Sequence, residues 1–159
     1  MRIGFGYDVH KLKMGRKCIL CGVEVPCEFG PDGHSDADVP IHALMDAMFG
    51  AVAMGDIGTH FPDTDDKWKN ADSMELLKIA YARVCEQGYM LGNADITIVL
   101  QKPRVSSYIE QMRTNLSIAL NTNIKNISVK ATTEEKLGFT GDSSGISSFA
   151  VVLLLANSC

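Results

Sequence analysis

The chain has 159 residues, 21% of them charged, with a formal net charge of -4. A chain of this length can bury a proper core without disulfide or metal staples, and its balance of charge excludes the basic footprint of a general nucleic-acid binder. No apolar run approaches the roughly 20 residues that span a bilayer, and no signal or transit pattern precedes a strand that starts at residue 2, so one cytoplasmic domain over residues 1–159 is expected.

The opening "MRIGFGYDVH" alternates Ile3, Phe5, Tyr7 and Val9 with Gly4, Gly6, Asp8 and His10. That period of two predicts a strand with Asp8 and His10 on the same side. A half-buried strand can carry such a pair on its wet face for solubility alone. The next segment, "KCILCGVEVP", reads as a hairpin turning near Gly22. Its Cys18 and Cys21 form a C-x-x-C, but no second pair completes a four-thiolate zinc site. With Cys27, Cys85 and Cys159 they make an odd number, which argues for reduced thiols.

Three helices follow from caps and period. The first is expected over about residues 39–54, with Asp38 as N-cap and Pro40 in the first turn, and it is apolar nearly all round, hence buried. The second begins at Asp72, where "DSME" has the capping-box pattern, and ends near Gly88. The third is expected to begin at Ser107, where "SYIE" repeats the pattern, with Ile109, Met112, Leu116 and Leu120 at helical spacing. "ADITIVLQ" and "NISVKA" alternate as strands, and "FAVVLLLA" is a continuous apolar run suited to burial on both faces. The order predicts an α/β (α+β) sandwich, one mixed four-stranded sheet plus a small hairpin, with helices on one face. The other face then needs a cover, which suggests oligomerisation.

Three of the four histidines lie in two short segments dense with aspartate, and His60 has no evident partner there. His42 falls in the first turn of the first helix, where the positive end of the dipole disfavours imidazolium and leaves a lone pair for a metal. Asp8 and His10 on a strand face with His42 on a helix end would supply two nitrogens and one oxygen, the mixture that catalytic zinc sites use with a fourth position open. Asp38 and Asp46, at i−4 and i+4 from His42, could orient its ring, although Asp38 could equally be only the cap and Asp46 only a solvated position. Two further polar segments, "GDIGTHFPDTD" and "KATTEEKLGFTGDSSG", match no P-loop. In the second, Thr132, Thr133 and Glu135 sit at a strand end where hydroxyls and free N–H groups can face an anion. Thr132 and Glu135 also fit a capping box, so that segment alone leaves a helix start and a phosphate site as alternatives. Together, the zinc-type donors, hydroxyls and spare carboxylate point to a phosphate ester handled by metal ions.

"DVH" at 8–10, "HSDADVPIHALMDA" at 34–47, "GDIGTHFPDTD" at 55–65 and "VKATTEEKLGFTG" at 129–141 resemble the 2-C-methyl-D-erythritol 2,4-cyclodiphosphate synthase family of non-mevalonate isoprenoid biosynthesis. The resemblance runs from the first strand to the last. It implies a homotrimer with sheets facing inward around a threefold axis, active sites between subunits, and closure of a cyclic diphosphate with loss of CMP. Asp8, His10 and His42 match the zinc ligands, and Glu135 the ligand of a magnesium or manganese ion. His34, Ser35, Thr132 and Thr133 match phosphate contacts, His34 and Thr133 being the expected transition-state stabilisers.

The resemblance further implies that Val9, Asp56, Ile57 and Gly58, with Phe61, Pro62, Asp63, Thr64 and Asp65, hold the substrate, and that Glu134 and Phe139 lie beside it. Leu100, Gln101, Lys102, Pro103, Arg104, Val105 and Ser106 match the cytidine pocket. Leu100 stands where a small residue is common, Glu134 replaces a frequent threonine, and Asp142 replaces an arginine found in many members on the trimer axis. That aspartate would repel an isoprenoid diphosphate there. The residues alone also admit a zinc hydrolase that activates water, or a non-catalytic trimeric module with structural zinc.

Overall fold

A computed structural model describes residues 1–62, 64–68 and 70–157. Asp63, expected at the substrate site, lies outside the described residues, as does Cys159. The strands are β1 (Arg2–Met14), β2 (Cys18–Leu20), β3 (Val23–Val25), β4 (Phe29–Pro31), β5 (Tyr89–Val99), β6 (Ile127–Thr132) and β7 (Gly145–Ala156). The helices are α1 (Val39–Ala51), α2 (Ile57–His60), α3 (Ser73–Glu86), α4 (Ile109–Ala119) and α5 (Gly138–Gly141). The main sheet has the order β4-β1-β7-β5-β6, with β5 and β6 parallel and the other pairs antiparallel, and β2 and β3 form a separate hairpin. The architecture agrees with the expected mixed sheet and hairpin. The sheet has five strands rather than four, because the short β4 pairs with the end of β1, Leu12 opposite Pro31.

The hairpin turns through Cys21 and Gly22, both at positive φ (49° and 70°), as a two-residue turn requires. The four described cysteines are free. Helix α3 starts where expected, with the Asp72 carboxylate accepting from the Met74 amide, and Gly88 at φ 80° follows its end. Helix α4 differs. A 3-10 turn at Ser106–Tyr108 leads into it without a side-chain cap, so Ser107 lies inside that turn and caps nothing. Helix α1 stops at Ala51, three residues early, because Ala53 takes φ 57° and the Met54 amide turns back to Phe49 O.

The two faces of β1 are the reverse of the simplest reading of its alternation. Ile3 and Phe5 are 73% and 63% exposed, whereas Gly4 and Gly6 are buried against α1. The glycines are there because the helix backbone lies directly on the strand. A Cβ on Gly4 would come 1.8 Å from Ala47 O, and one on Gly6 would come 2.0 Å from Ala43 O. Ala43, Ala47 and Ala51 repeat every four residues, so the helix presents a stripe of small side chains to those glycines. Ten of the thirteen residues of α1 are buried, which makes it the central helix of the core. Each fully buried Leu44, Met45, Met48 or Phe49 contributes about 1.5–3 kcal/mol from transfer out of water.

The face of the sheet turned away from the helices carries Phe5, Tyr7, Val9, Phe149, Val151 and Leu155, each more than a third exposed. Phe149 bridges β7 and β1, its ring 5.0 Å from Tyr7 and 6.2 Å from Phe5. Among the described residues no helix is long and apolar enough to cross a membrane.

Because no rotamer relieves a backbone clash, Gly6→Ala is expected to cost about 3 kcal/mol or more. Chemical denaturation should show the shift in midpoint, while the control Gly15→Ala, at a glycine with nothing nearby, should cost only the lesser strain of its positive φ.

Candidate active site

Gly4 and Gly6 set the distance between β1 and α1, and Asp8 and His10 follow them on the same strand face. They therefore meet the first turn of α1, where His42 sits. His42 Nδ1 is 3.1 Å from Asp8 Oδ2, and His10 Nε2 is 3.2 Å from the same oxygen. The two rings lie 5.6 Å apart, centroid to centroid. One ligand atom from each of the three residues falls within 4.8 Å of the others. A tetrahedral zinc with ligands about 2.0–2.2 Å away separates them by roughly 3.3–3.6 Å, so little movement is needed for the triad to share an ion.

The electrostatics suit a cation. Burial raises the Asp8 pKa, but hydrogen bonds from His10 and His42, with their charge, outweigh it and hold the carboxyl at about 2. The Asp8 hydrogen bond raises His10 above its ordinary 6.5 against the effect of burial. Each ring also has its far nitrogen engaged. His10 Nδ1 meets Asp32 O at 2.7 Å, and His42 Nε2 meets Ser73 Oγ at 3.0 Å and Ser35 Oγ at 3.3 Å.

Asp38 and Asp46 do something other than orient His42. Asp38 is wholly buried, and its carboxylate accepts from the amides of Cys21, Gly22 and Ile41 at 2.8, 2.7 and 3.3 Å. It caps α1 and ties the β2–β3 hairpin to it; burial pushes its carboxyl up to about 7, against the pull of the Gly22 amide. Asp46 accepts from the Ile57 amide at 2.9 Å and so anchors the start of α2 to α1. The groups at the far side of the His42 ring are Ser73 and Ser35, with Asp36 behind Ser73; sequence spacing did not suggest Ser73, which is 31 residues from His42.

The triad opens on a cavity of about 690 Å³. Val9, His34, Ser35, Ile57, Gly58, Phe61 and Asp65 line it, joined by Asp32, Gly33, Trp68 and Leu76, which were not foreseen. Gly33 has a reason to be glycine, since a Cβ there would meet His10 Cε1 at 2.9 Å. Arg16 holds this loop from behind by donating to the carbonyls of Pro31, Gly33 and Ser35. Asp56 caps α2 by accepting from the Thr59 amide and hydroxyl, both at 2.8 Å, and these bonds lower its carboxyl pKa. Pro62 and Thr64 flank this wall in sequence without lining the cavity.

His60 is no unattached loop residue. Its ring stacks on Phe49 at 3.8 Å, Nε2 meets Met54 O and Nδ1 meets Arg83. It fastens α2 to the core.

A second group of expected residues forms a separate cluster. Thr132 ends β6, and Leu100 N donates to Thr132 O, so the 100–106 and 132–135 segments adjoin at one end of the sheet. Leu100 and Val105 are buried, leaving Gln101, Lys102, Pro103, Arg104 and Ser106 at the rim, with a cis bond before Pro103. No capping box forms at Thr132 and Glu135. The chain instead turns through Glu135 and Lys136 at φ 51° and 69°, and the Thr133 hydroxyl donates to the Glu135 carboxylate at 3.0 Å. Glu134 points elsewhere and accepts from the buried Thr140 hydroxyl. Phe139 is 43% exposed, and Asp142 accepts from the Ser144 amide. In register, Val9 pairs with Ser147, Ser147 with Val99, and Val99 with Thr132. Both clusters thus lie at the same end of the sheet, three strand spacings or about 14 Å apart.

The YgbB family model matches residues 1–155. The chain is 58% identical over 158 residues to 2-C-methyl-D-erythritol 2,4-cyclodiphosphate synthase of Clostridioides difficile, covering 99% of this chain and 98% of that one. It belongs to the YgbB family of cyclodiphosphate synthases. The fold agrees with two solved members. The bifunctional IspDF of Campylobacter jejuni superposes with TM-score 0.94 at 44% identity, covering 98% of this chain and 42% of that longer one. A CDP-bound form of 2C-methyl-D-erythritol-2,4-cyclodiphosphate synthase superposes with TM-score 0.90 at 36% identity, covering 97% of this chain and 100% of that one.

Within this YgbB chain the buried Asp38 carboxylate should matter for stability more than for chemistry. Asp38→Ala leaves two or three amides without an acceptor and is expected to cost about 2–4 kcal/mol. Thermal or urea unfolding would register it.

Proposed function

We propose that this chain converts 4-diphosphocytidyl-2-C-methyl-D-erythritol 2-phosphate to 2-C-methyl-D-erythritol 2,4-cyclodiphosphate and CMP, a cyclising phosphorus–oxygen lyase reaction. The observation that carries this reading is the Asp8, His10 and His42 cluster at the wall of a 690 Å³ cavity in a chain of the YgbB family. In the reaction the substrate's own 2-phosphate oxygen attacks the β-phosphorus as the bond to the CMP oxygen breaks. No side chain becomes a covalent nucleophile.

Asp8, His10 and His42 would hold zinc, and Glu135 a magnesium or manganese ion; bound there, the cations supply Lewis-acid withdrawal of charge from the reacting phosphorus and neutralise the leaving phosphate. The residues of the chain then position and donate. His34, exposed at the pocket wall, and the Thr133 hydroxyl would stabilise charge developing on phosphate oxygens, while Ser35 and Thr132 contact phosphates. Such preorganised donors are typically worth about 3 kcal/mol each. Asp56, Ile57, Gly58 and the 61–65 segment hold the methylerythritol, Asp56 taking its hydroxyls. The 100–106 loop takes the cytosine through backbone groups.

The 14 Å between the two clusters exceeds the reach of one diphosphate. A second copy that brings its own 100–106 and 132–135 segments beside this triad would close the gap, and a homotrimer with the apolar sheet faces inward does so while covering Phe5, Tyr7 and Phe149. Asp142 places a carboxylate beside that axis, so no isoprenoid diphosphate is retained there. A CDP-bound relative supports the nucleotide part of the reading.

Incubation of the purified protein with substrate should release CMP and the cyclic diphosphate in equal amounts; a ring-opened product would overturn cyclisation in favour of hydrolysis. Asp8→Asn should lower kcat/KM about a thousandfold while the assembly keeps its size on a sizing column. A variant that falls apart would instead indicate structural zinc. The raised His10 pKa gives the pH dependence its sign. The metal must displace a proton that Asp8 helps to hold, so zinc affinity falls as pH drops below the folded pKa of His10 and levels off above it. Chelator competition between pH 6 and 8 measures this.

A further inference from the structure

Ser73 opens α3 and is fully buried, yet that helix does not need its hydroxyl. Asp72 already caps α3 through the Met74 amide at 2.8 Å. The Ser73 amide is satisfied as well, donating to Asp36 Oδ2 at 3.0 Å. The hydroxyl instead donates to Asp36 Oδ1 and faces His42 Nε2 at 3.0 Å. An ionised carboxylate only accepts, so the one hydroxyl proton is committed to Asp36 and the oxygen's lone pair is left for His42.

We propose that Ser73 and Asp36 are positioning residues for the metal ligand His42. The Ser73 lone pair accepts from Nε2–H, which keeps a proton on that nitrogen and leaves Nδ1, 3.1 Å from Asp8 Oδ2, as the nitrogen whose proton a metal displaces. His10 has the same arrangement with a backbone acceptor, Nδ1 against Asp32 O at 2.7 Å and Nε2 toward Asp8. Ser35 Oγ is the more distant neighbour of His42 at 3.3 Å and already accepts from the Ala37 amide. Its own proton stays free for a substrate oxygen. The relay also links the pocket wall to α3, because the Asp36 amide donates to Ala71 O and the Asn70 amide to His34 O. Sequence spacing offered Asp38 and Asp46 for this role; tertiary contact assigns it to Asp36 through Ser73.

The inference rests on the zinc reading of the triad, and the test separates the two. Zinc affinity is measured by chelator competition on the full-length protein, and the visible spectrum of the cobalt-loaded form reports ligand geometry. Ser73→Ala should weaken zinc binding about 10–100-fold and alter the cobalt bands, and Ser73→Thr, which keeps the hydroxyl, should stay within about threefold of the parent. Asp36→Asn should weaken binding too, because an amide can donate to the hydroxyl and turn its proton toward Nε2. It carries the test if Ser73→Ala does not fold. Unchanged affinity and spectrum in both variants, with only a lower Tm, would make the pair structural and overturn the proposal while leaving the zinc reading intact. A parent protein that binds zinc no better than His42→Ala would overturn both.

Discussion

Everything at the site depends on how closely α1 lies on β1. Backbone meets backbone at Gly4 and Gly6, where any Cβ would strike Ala47 O or Ala43 O. That contact fixes the height and rotation of α1 over the sheet, and the strand continues on the same face to Asp8 and His10. With the helix one side chain farther away, the 3.1 Å approach of His42 to Asp8 would be lost. The glycines therefore belong to the candidate metal site without being among its three donors. The apolar α1, with Leu44, Met45, Met48 and Phe49 all excluded from water, supplies the burial that holds the two elements together.

Around this joint the polar groups divide their work by burial. Asp38, at the bottom, accepts three amides and joins hairpin to helix. Asp46, one turn beyond His42, holds the start of α2, and His60 and Arg83 hold its end. Asp8, half-buried between two imidazoles, keeps its negative charge because their hydrogen bonds outweigh desolvation. The deepest carboxylate, Asp38, is thus used to position elements, while Asp8 at the cavity is held in ionised form.

The uncovered sheet face and the divided site have one explanation in the proposed assembly. A single chain carries the Asp8, His10 and His42 triad and the 132–135 turn at the same end of its sheet, but three strand spacings apart. The aromatic and branched side chains on the bare face, centred on Phe149, are of the kind that interfaces bury. Packing copies through that face would complete the fold and the site together, which makes assembly part of the catalytic architecture in this proposal.

Beside the resemblance of four ordered motifs to a known family, residue types and local periods determined the longer strands, the hairpin turn near Gly22 and the caps of α1 and α3. These follow from contacts within a few residues, where spacing and chemistry act directly. The fifth strand was not legible, because Phe29–Pro31 is too short to show a period and exists only by pairing with β1. Neither was the exposed side of β1, since alternation says which residues share a face but not which face meets the helix. The Nε2 partner of His42 and the partners of His60 were missed for a related reason. Ser73 and Arg83 reach these rings from other elements, Asp36 acting only through Ser73, and hydrogen bonds across such separations leave no spacing in the sequence. Only the tertiary structure decides them, because a side chain's chemistry is local while its neighbours are set by how the helices pack on the sheet.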